Sequence, residues 1–231
     1  MDFINAIILL SNFVIVPSIT YGSQLALGAI GVTLIYGVLR FANFAYGDLM
    51  AFGTMCVILF TWLLKSWGIS LGILPTALLA LPFGIVLTIG VSLFFDRTVF
   101  EYYRNKKSSP VTFIVVSLGI MFVLNAVVRI IIGPNDIVFM DGARFIISAV
   151  EFREITGLLE GLTIKSTQVI TIITTSITCY LLFNFLNKTK TGKSMRAYSN
   201  NEDLALLSGI DPNKIILITW IIVSILATIG G

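Results

Sequence analysis

Seven apolar stretches alternate with polar connections along the chain, at about residues 3–19, 21–39, 47–64, 71–95, 111–132, 166–187 and 215–231. A helix crosses the hydrocarbon core of a bilayer with roughly 17–25 residues, and each stretch falls in that range. The pattern predicts an all-α, polytopic integral membrane protein with one transmembrane domain over residues 1–231. Within 17–50, two Gly-containing segments lie close together, and one of them is alternatively re-entrant. The last stretch reaches Gly231 with no charged anchor after it, which indicates a truncated chain.

Charge divides the longer connections into two kinds. Lys and Arg dominate loops 96–110 and 188–214, whereas acidic residues outnumber basic ones in loop 133–165. Cytoplasmic loops of membrane proteins carry the excess of Lys and Arg. We therefore predict that both basic loops are cytoplasmic and that 133–165 is extracytoplasmic. Counting the spans back from these loops also places the N-terminus in the cytoplasm.

A charged island, residues 191–209, separates two strongly apolar stretches. Asn201 is a favourable N-cap, and Gly209 suits the left-handed position that commonly follows a helix. Asp211, followed by proline, can begin the next helix as its N-cap. The island therefore predicts a short helix over 201–208 with both ends capped at the membrane surface, an arrangement typical of a docking site for another protein.

Two apolar stretches carry regularly spaced small or hydroxyl-bearing residues. In 71–95 these residues lie four apart, at Gly72, Thr76, Ala80, Gly84, Thr88 and Ser92. Such a stripe allows the backbone of another helix to approach closely. In 166–187, five threonines, including Thr171 and Thr175, lie largely on one helical face. They either form hydrogen bonds between helices or line a polar pathway.

The composition argues against an enzyme. Hydrophobic residues make up 57% of the chain and charged residues only 12%, about half the share of charged residues in soluble domains. The chain contains no His and no P-loop sequence, so it offers no imidazole ligand or base and no phosphate-binding loop for ATP hydrolysis. We expect no catalytic residue, no metal site and no cofactor bound by this chain.

Polar groups at membrane depth are costly and often functional. The candidates for a translocation pathway are Asn43, Tyr46, Gly47, Asp48, Asn125, Thr171 and Thr175. Asn43 and Asp48 are expected near the cytoplasmic end of their span, where water can solvate them. Asn125 lies in the middle of a span and needs a partner, either on another helix or in a substrate.

Several stretches resemble the LivH-type membrane permeases of branched-chain amino acid ABC transporters. The stretches are 22–48 (GSQLALGAIGVTLIYGVLRFANFAYGD), 96–104 (DRTVFEYYR), 116–133 (VSLGIMFVLNAVVRIIIG) and 226–231. The residues that match the family's ATPase-coupling loop are Arg196, Ala197, Asn201, Ala205, Leu207, Gly209 and Ile210. The chain departs from the family at Tyr46, where His is usual.

The resemblance implies a multi-pass permease subunit of a prokaryotic inner membrane, in contact with lipid and not with nucleic acid. It implies two cytoplasmic ABC ATPases that carry ATP and Mg²⁺, a second related permease subunit and an extracytoplasmic solute-binding protein. The expected substrates are branched-chain or other hydrophobic amino acids, with urea, short amides or another small solute as alternatives. A stand-alone secondary transporter or channel is a further alternative, although it predicts buried acidic residues that the spans lack apart from Asp48.

Overall fold

A computed structural model describes residues 2–72, 74–133, 139, 141–142, 145–157 and 160–231. The helices are α1 (Asp2–Leu10), α2 (Val16–Leu39), α3 (Tyr46–Ser66), α4 (Ala77–Phe95), α5 (Glu101–Asn105), α6 (Pro110–Ile132), α7 (Ala149–Thr156), α8 (Ser166–Lys188), α9 (Lys190–Asn200), α10 (Glu202–Leu207) and α11 (Pro212–Gly230). π-helical turns at Ser11–Ile15 and Asp96–Phe100 join α1 to α2 and α4 to α5. The strands β1 (Phe145–Ile147) and β2 (Ile164–Lys165) form a short antiparallel ribbon. The all-α polytopic class predicted from the sequence is confirmed.

Among the described residues, six helices are long and apolar enough to cross a membrane, compared with the seven stretches predicted. The difference arises because Phe3–Leu39 is one helix of 37 residues, about 55 Å long at 1.5 Å per residue. The sequence analysis divided it near residue 20, where Thr20 and Ser23 are polar. Both hydroxyls instead donate to carbonyls of their own helix, those of Val16 and Ile19. The helix therefore needs no turn at this point.

The two ends of this long helix contact different loops. Near its start, the Asn12 side chain donates to the Gly161 carbonyl at 2.8 Å and accepts from the Thr163 N–H at 2.9 Å. Beyond its other end, the Arg40 guanidinium donates to the Ser199 carbonyl of α9 at 2.6 Å. The start of the long helix thus lies beside loop 133–165, on the side opposite α9. The sequence analysis counted two spans where this one helix stands, and the side of the membrane that holds the N-terminus stays a prediction.

The helices α3, α4 and α11 pack against one another at the centre of the bundle. The predicted stripe on α4 is buried from Thr76 to Ser92, whereas Gly72 lies outside the helix and is exposed. Gly84 lies against Val57 of α3, and the Ser92 hydroxyl shares a hydrogen bond with Ser224 of α11. The absence of bulk along this stripe allows α3 and α11 to approach α4 closely. Around this centre, α2 packs on α11, α6 on α3 and α8 on α2.

Asp141 anchors the acidic loop to the bundle. Its side chain is only 4% exposed and lies 2.7 Å from the Lys65 ammonium group at the end of α3. The second carboxylate oxygen accepts the Ala77 N–H at the start of α4, also at 2.7 Å. Burial raises the pKa of Asp141, but these donors outweigh it and hold the pKa below its ordinary value. The ion pair and the hydrogen bond therefore contribute fully to stability when the pH is above the ordinary pKa of an aspartate. This contribution is lost as the pH falls through the lowered pKa of Asp141.

Candidate functional site

The helical path breaks between α2 and α3, inside the bundle. Arg40 ends α2 in the left-handed conformation with φ 62°, and the next helix begins only at Tyr46. The Phe44 N–H donates to the Ser117 hydroxyl at 3.2 Å, and Ser117 lies about two turns into α6. The Ala45 N–H donates to the Asn43 side chain at 3.0 Å. These side chains satisfy backbone groups that the break leaves without helical partners, where Asn43 and Ala45 are buried in the bundle.

The break places Asn43 and Asp48 deeper than the sequence analysis expected. The Asn125 amide donates to the Asp48 carboxylate at 2.9 Å, and Asn125 lies about four turns into α6. The first turn of α3 is therefore within the bundle and away from the start of α6. No separate re-entrant segment is present in the described part of 17–50; the chain bends in and continues as α3.

Asp48, Asn125 and Arg129 form a chain of hydrogen bonds between α3 and α6. Asn125 donates to Asp48 through its amide nitrogen and accepts from the Arg129 guanidinium through its oxygen, each at 2.9 Å. The partner that Asn125 needs is thus on another helix. Arg129 was not among the predicted site residues, although its spacing of four residues from Asn125 places both on one helical face.

We expect Asn125→Leu to lower the stability of the protein by about 1 kcal/mol, in the range measured for hydrogen bonds between membrane helices. The change removes the donor of Asp48 and the acceptor of Arg129 together. The measurement is the midpoint of thermal unfolding in detergent. Asn187→Leu is the matched control, because the Asn187 side chain is only partly buried and bonds to its own helix, at the Phe183 carbonyl. Equal effects of the two changes would contradict a role for the chain of hydrogen bonds.

Tyr46 is buried at the first turn of α3, with 2% of its surface exposed. Its hydroxyl packs on Gly31 of α2, where a Cβ atom would overlap it. Among the described residues this hydroxyl has no hydrogen-bond partner. A glycine on α2 thus provides the space for the large side chain that stands where the resembling family has His.

A cavity of about 370 Å³ lies beside the same turn, between α2 and the break. Asn43, Tyr46 and Gly47 line it, with apolar walls from Val32 and Met50. Its volume is in the lower part of the range for small-molecule sites. The positive end of α3 also lies here, and the Asp48 carboxylate in the first turn of the helix compensates it.

The remaining pathway candidates, Thr171 and Thr175, lie elsewhere. They line a separate cavity of about 200 Å³ with Gln24, between α2, α4, α8 and α11. The Thr171 hydroxyl donates to the Thr167 carbonyl of its own helix at 2.8 Å. The structure therefore divides the predicted pathway residues into two groups, and the break at α3 brings together all of them except these two threonines.

The helices α9 and α10 form a helical corner between α8 and α11. The predicted caps of α10 are confirmed: the Asn201 side chain accepts the Leu204 N–H at 3.0 Å, and Gly209 has φ +79°. The Asp211 side chain accepts the Asn213 N–H at 2.9 Å and begins α11. The helix α9 was not predicted, although Thr189 provides its N-cap by accepting the Gly192 N–H.

The predicted coupling residues separate by exposure. Ala205 is buried and Ile210 is packed against the core, so these two hold the corner to the spans. Arg196, Ala197 and Asn201 are exposed, and Leu207 is 85% exposed. Together with Leu204, which is 60% exposed, Leu207 gives α10 an apolar outer face.

Two buried side chains that the sequence analysis did not single out, Met195 and Tyr198, attach α9 to the bundle. The Tyr198 hydroxyl donates to the Glu202 carboxylate at 2.7 Å and thereby joins α9 to α10. Burial, followed by the hydrogen bond to Glu202 and then the charge of Glu202, raises the pKa of Tyr198. The phenol therefore stays protonated and keeps donating at neutral pH.

The sequence was compared with families, curated proteins and solved structures. The sequence profile of the family described as "Branched-chain amino acid transport system / permease component" matches residues 14–231. No solved structure matches the chain.

Three curated relatives carry similar names. The high-affinity branched-chain amino acid transport system permease protein LivH of Escherichia coli (strain K12) is 26% identical over 217 residues, covering 92% of this chain and 67% of LivH. BraD of Pseudomonas aeruginosa is 24% identical over 226 residues, covering 94% and 68%. A probable LivH of Methanocaldococcus jannaschii is 29% identical over 220 residues, covering 93% and 63%. Because the family profile covers nearly all of its length and six of its helices suit a membrane, this chain belongs to the permease component family of branched-chain amino acid transport systems.

Proposed function

We propose that this protein is the permease subunit of a binding-protein-dependent ABC importer for branched-chain or other hydrophobic amino acids. ATP and Mg²⁺ are bound by two separate cytoplasmic ATPases. A second related permease subunit completes the pathway, and an extracytoplasmic binding protein delivers the substrate. The names of the relatives and the family match support the substrate class.

The observation that carries this proposal is the exposed face of α10. Leu204 and Leu207 are exposed on a helix that lies outside every candidate span. Exposed leucines that are not covered by lipid favour a protein partner. Caps at both ends and the buried Ala205 fix the helix to the bundle, so a force applied to this face is transmitted to α9 and α11.

Charge and contacts support one orientation for the subunit. The basic loops 96–110 and 188–214 lie in the cytoplasm by the positive-inside rule. Loop 133–165 lies on the extracytoplasmic side. The start of the long first helix lies on the same side, because Asn12 bonds to Gly161 and Thr163 of that loop. The solute-binding protein docks on that side and the ATPases on the other.

The cavity beside α3 is the proposed place of substrate passage. Backbone N–H groups at the start of α3 suit the carboxylate of an amino acid, as helix ends inside membranes do in other transporters. The apolar walls from Val32 and Met50 suit a hydrophobic side chain. Asn43, Tyr46 and Gly47 therefore contact the passing solute, while Asp48 and Asn125 hold the break in place.

Copurification tests the proposed partners, and uptake by the complex tests the proposed substrate class. We expect the tagged protein, extracted from its own cells in mild detergent, to bring down two P-loop ATPases and a second permease. Leu207→Glu should remove the ATPases, because a charge on the apolar face prevents docking. Asn105→Glu, an exposed change at the end of α5, should retain them.

Two results would overturn the assignment. One is a wild-type protein that purifies without ATPases. The other is a complete complex that takes up urea or short amides and no hydrophobic amino acid. That result would overturn the substrate class alone.

Gly209→Val should weaken coupling of ATP hydrolysis to uptake. Gly209 has φ +79° and an added Cβ would meet no neighbour, so the cost is conformational and not a clash. The left-handed region costs an L-residue about 1–2 kcal/mol, and a β-branched residue is the least suited to it. The measurement is solute moved per ATP hydrolysed in proteoliposomes. Gly209→Asn is the control, because Asn tolerates this conformation, and equal loss in both variants would contradict the explanation.

A further inference from the structure

A third cavity lies at the proposed cytoplasmic end of the bundle, on the side of the break where α2 ends. It has a volume of about 350 Å³ and lies where α2 and α5 end and α6, α9 and α11 come together. Its apolar part is formed by Phe41, Phe113 and Ile216. Three basic residues, Arg40, Arg104 and Lys107, form its polar part. We refer to it as the basic cavity.

The charges around the basic cavity do not cancel. Asp96 pairs with Arg104 at 2.9 Å, and Glu202 is the acidic residue in the lining. Lys107 forms no ion pair with any described residue. Arg40 uses one nitrogen for the Ser199 carbonyl and keeps further N–H donors, since a guanidinium has five. Unused donors and a positive charge remain, which together suit a phosphate group.

The start of α6 adds to this positive potential. The helix begins at Pro110, which lines the cavity, and runs for 23 residues. Ser109, its N-cap, makes no side-chain capping bond. The positive end of a helix macrodipole therefore points to the same space as the three basic side chains.

The position of the cavity favours a lipid over a soluble anion. Its basic part is at the cytoplasmic boundary of the spans, and its apolar part continues into the bundle. Val111 and Val115 are exposed on the neighbouring turns of α6, where acyl chains can lie. Basic pockets between membrane helices on the cytoplasmic side are known to bind anionic headgroups.

We propose that the basic cavity binds the phosphate of an anionic phospholipid of the cytoplasmic leaflet. The phosphate accepts hydrogen bonds from Arg40 at the end of α2 and from Lys107 before α6, and Arg40 also donates to the Ser199 carbonyl of α9. An occupied cavity thus holds the α9–α10 corner against the spans. This site is independent of which solute the transporter moves.

Binding of phosphatidylglycerol to the purified protein in detergent tests the proposal, with phosphatidylcholine as the neutral lipid. We expect phosphatidylglycerol to raise the midpoint of thermal unfolding and phosphatidylcholine to have little effect. Lys107→Gln should weaken phosphatidylglycerol binding about fivefold, the effect of about one basic residue near an anionic surface. Lys107 is exposed and unpaired, so this variant retains the fold. Lys193→Gln, an exposed lysine of α9 outside the cavity, is the matched control and should bind like wild type.

Three outcomes would overturn the proposal. The first is equal stabilisation by the two lipids. The second is an equal loss of phosphatidylglycerol binding in Lys107→Gln and Lys193→Gln. The third is full stabilisation by inorganic phosphate without lipid, which would assign the cavity to a soluble anion.

Discussion

Gly84→Leu is expected to prevent the protein from accumulating in a folded form, whereas Gly90→Leu on the same helix is expected to be tolerated. A Cβ atom on Gly84 would lie 2.5 Å from Val57 Cγ2 and 3.3 Å from the Val57 nitrogen on α3. A Cβ atom on Gly90 would meet nothing within 4 Å. Overpacking of a tight interface costs about 3 kcal/mol at the upper end of its usual range. Because α4 lies between α3 and α11, this cost affects the centre of the bundle.

The measurement is the yield of monodisperse protein on size-exclusion chromatography after extraction. A smaller change allows a test of rescue: Gly84→Ala should reduce the yield, and adding Val57→Ala should restore part of it by removing the Cγ2 atom. Similar yields of the Gly84 and Gly90 leucine variants would show that α3 and α4 are not in close contact.

Gly192→Ala is expected to lower transport about tenfold while leaving the spans folded. Gly192 lies at the corner between α8 and α9, where a Cβ atom would overlap the Phe185 carbonyl and lie 2.6 Å from Leu186 Cα. These are backbone atoms, so they cannot move aside as a flexible side chain could. The helix α9 must shift away from α8, and α10 shifts with it. A cost of about 1.4 kcal/mol or more corresponds to about a tenfold loss of uptake, within the usual range for overpacking.

Uptake in cells measures the effect of this change on transport. Circular dichroism and the amount of protein in the membrane measure its effect on folding. Helix content and amount should stay near wild type, and uptake should fall. Gly119→Ala in α6 is the matched control, because a Cβ atom there meets nothing within 4 Å. Normal uptake by Gly192→Ala would remove the α8–α9 corner from the proposed mechanism.

Local signals in the sequence were sufficient to predict the caps of α10 and α11 and the stripe of small residues on α4. Asn201, Gly209 and Asp211 act on backbone groups a few residues away, so their roles depend little on the remainder of the chain. The stripe from Thr76 to Ser92 is regular because a close helix contact requires small side chains at each turn. The helix α9 was missed because its polar composition resembles a loop and its stability depends on the buried Met195 and Tyr198.

Long-range contacts decided the candidate site. Asp48 and Asn125 are 77 positions apart and were chosen separately, and only the packing of α3 on α6 shows that they bond to each other. The role of Gly31 as the space for Tyr46 was likewise not visible, because a glycine carries no chemical signal of what will lie against it. The contact of Asn12 with Gly161 and Thr163, which places the start of the first helix beside loop 133–165, is also a contact of distant residues.

The sequence by itself determined the membrane class, the approximate spans, the family resemblance and the capped helix α10, since hydropathy and capping act over a few residues. The tertiary structure alone decided that the first two stretches form one helix, that α3 begins inside the bundle, and that a basic cavity lies behind the α9–α10 corner. Each of these depends on which helices lie side by side. That arrangement follows from the packing of the whole bundle, in which small side chains and buried polar pairs select among many possible helix neighbours.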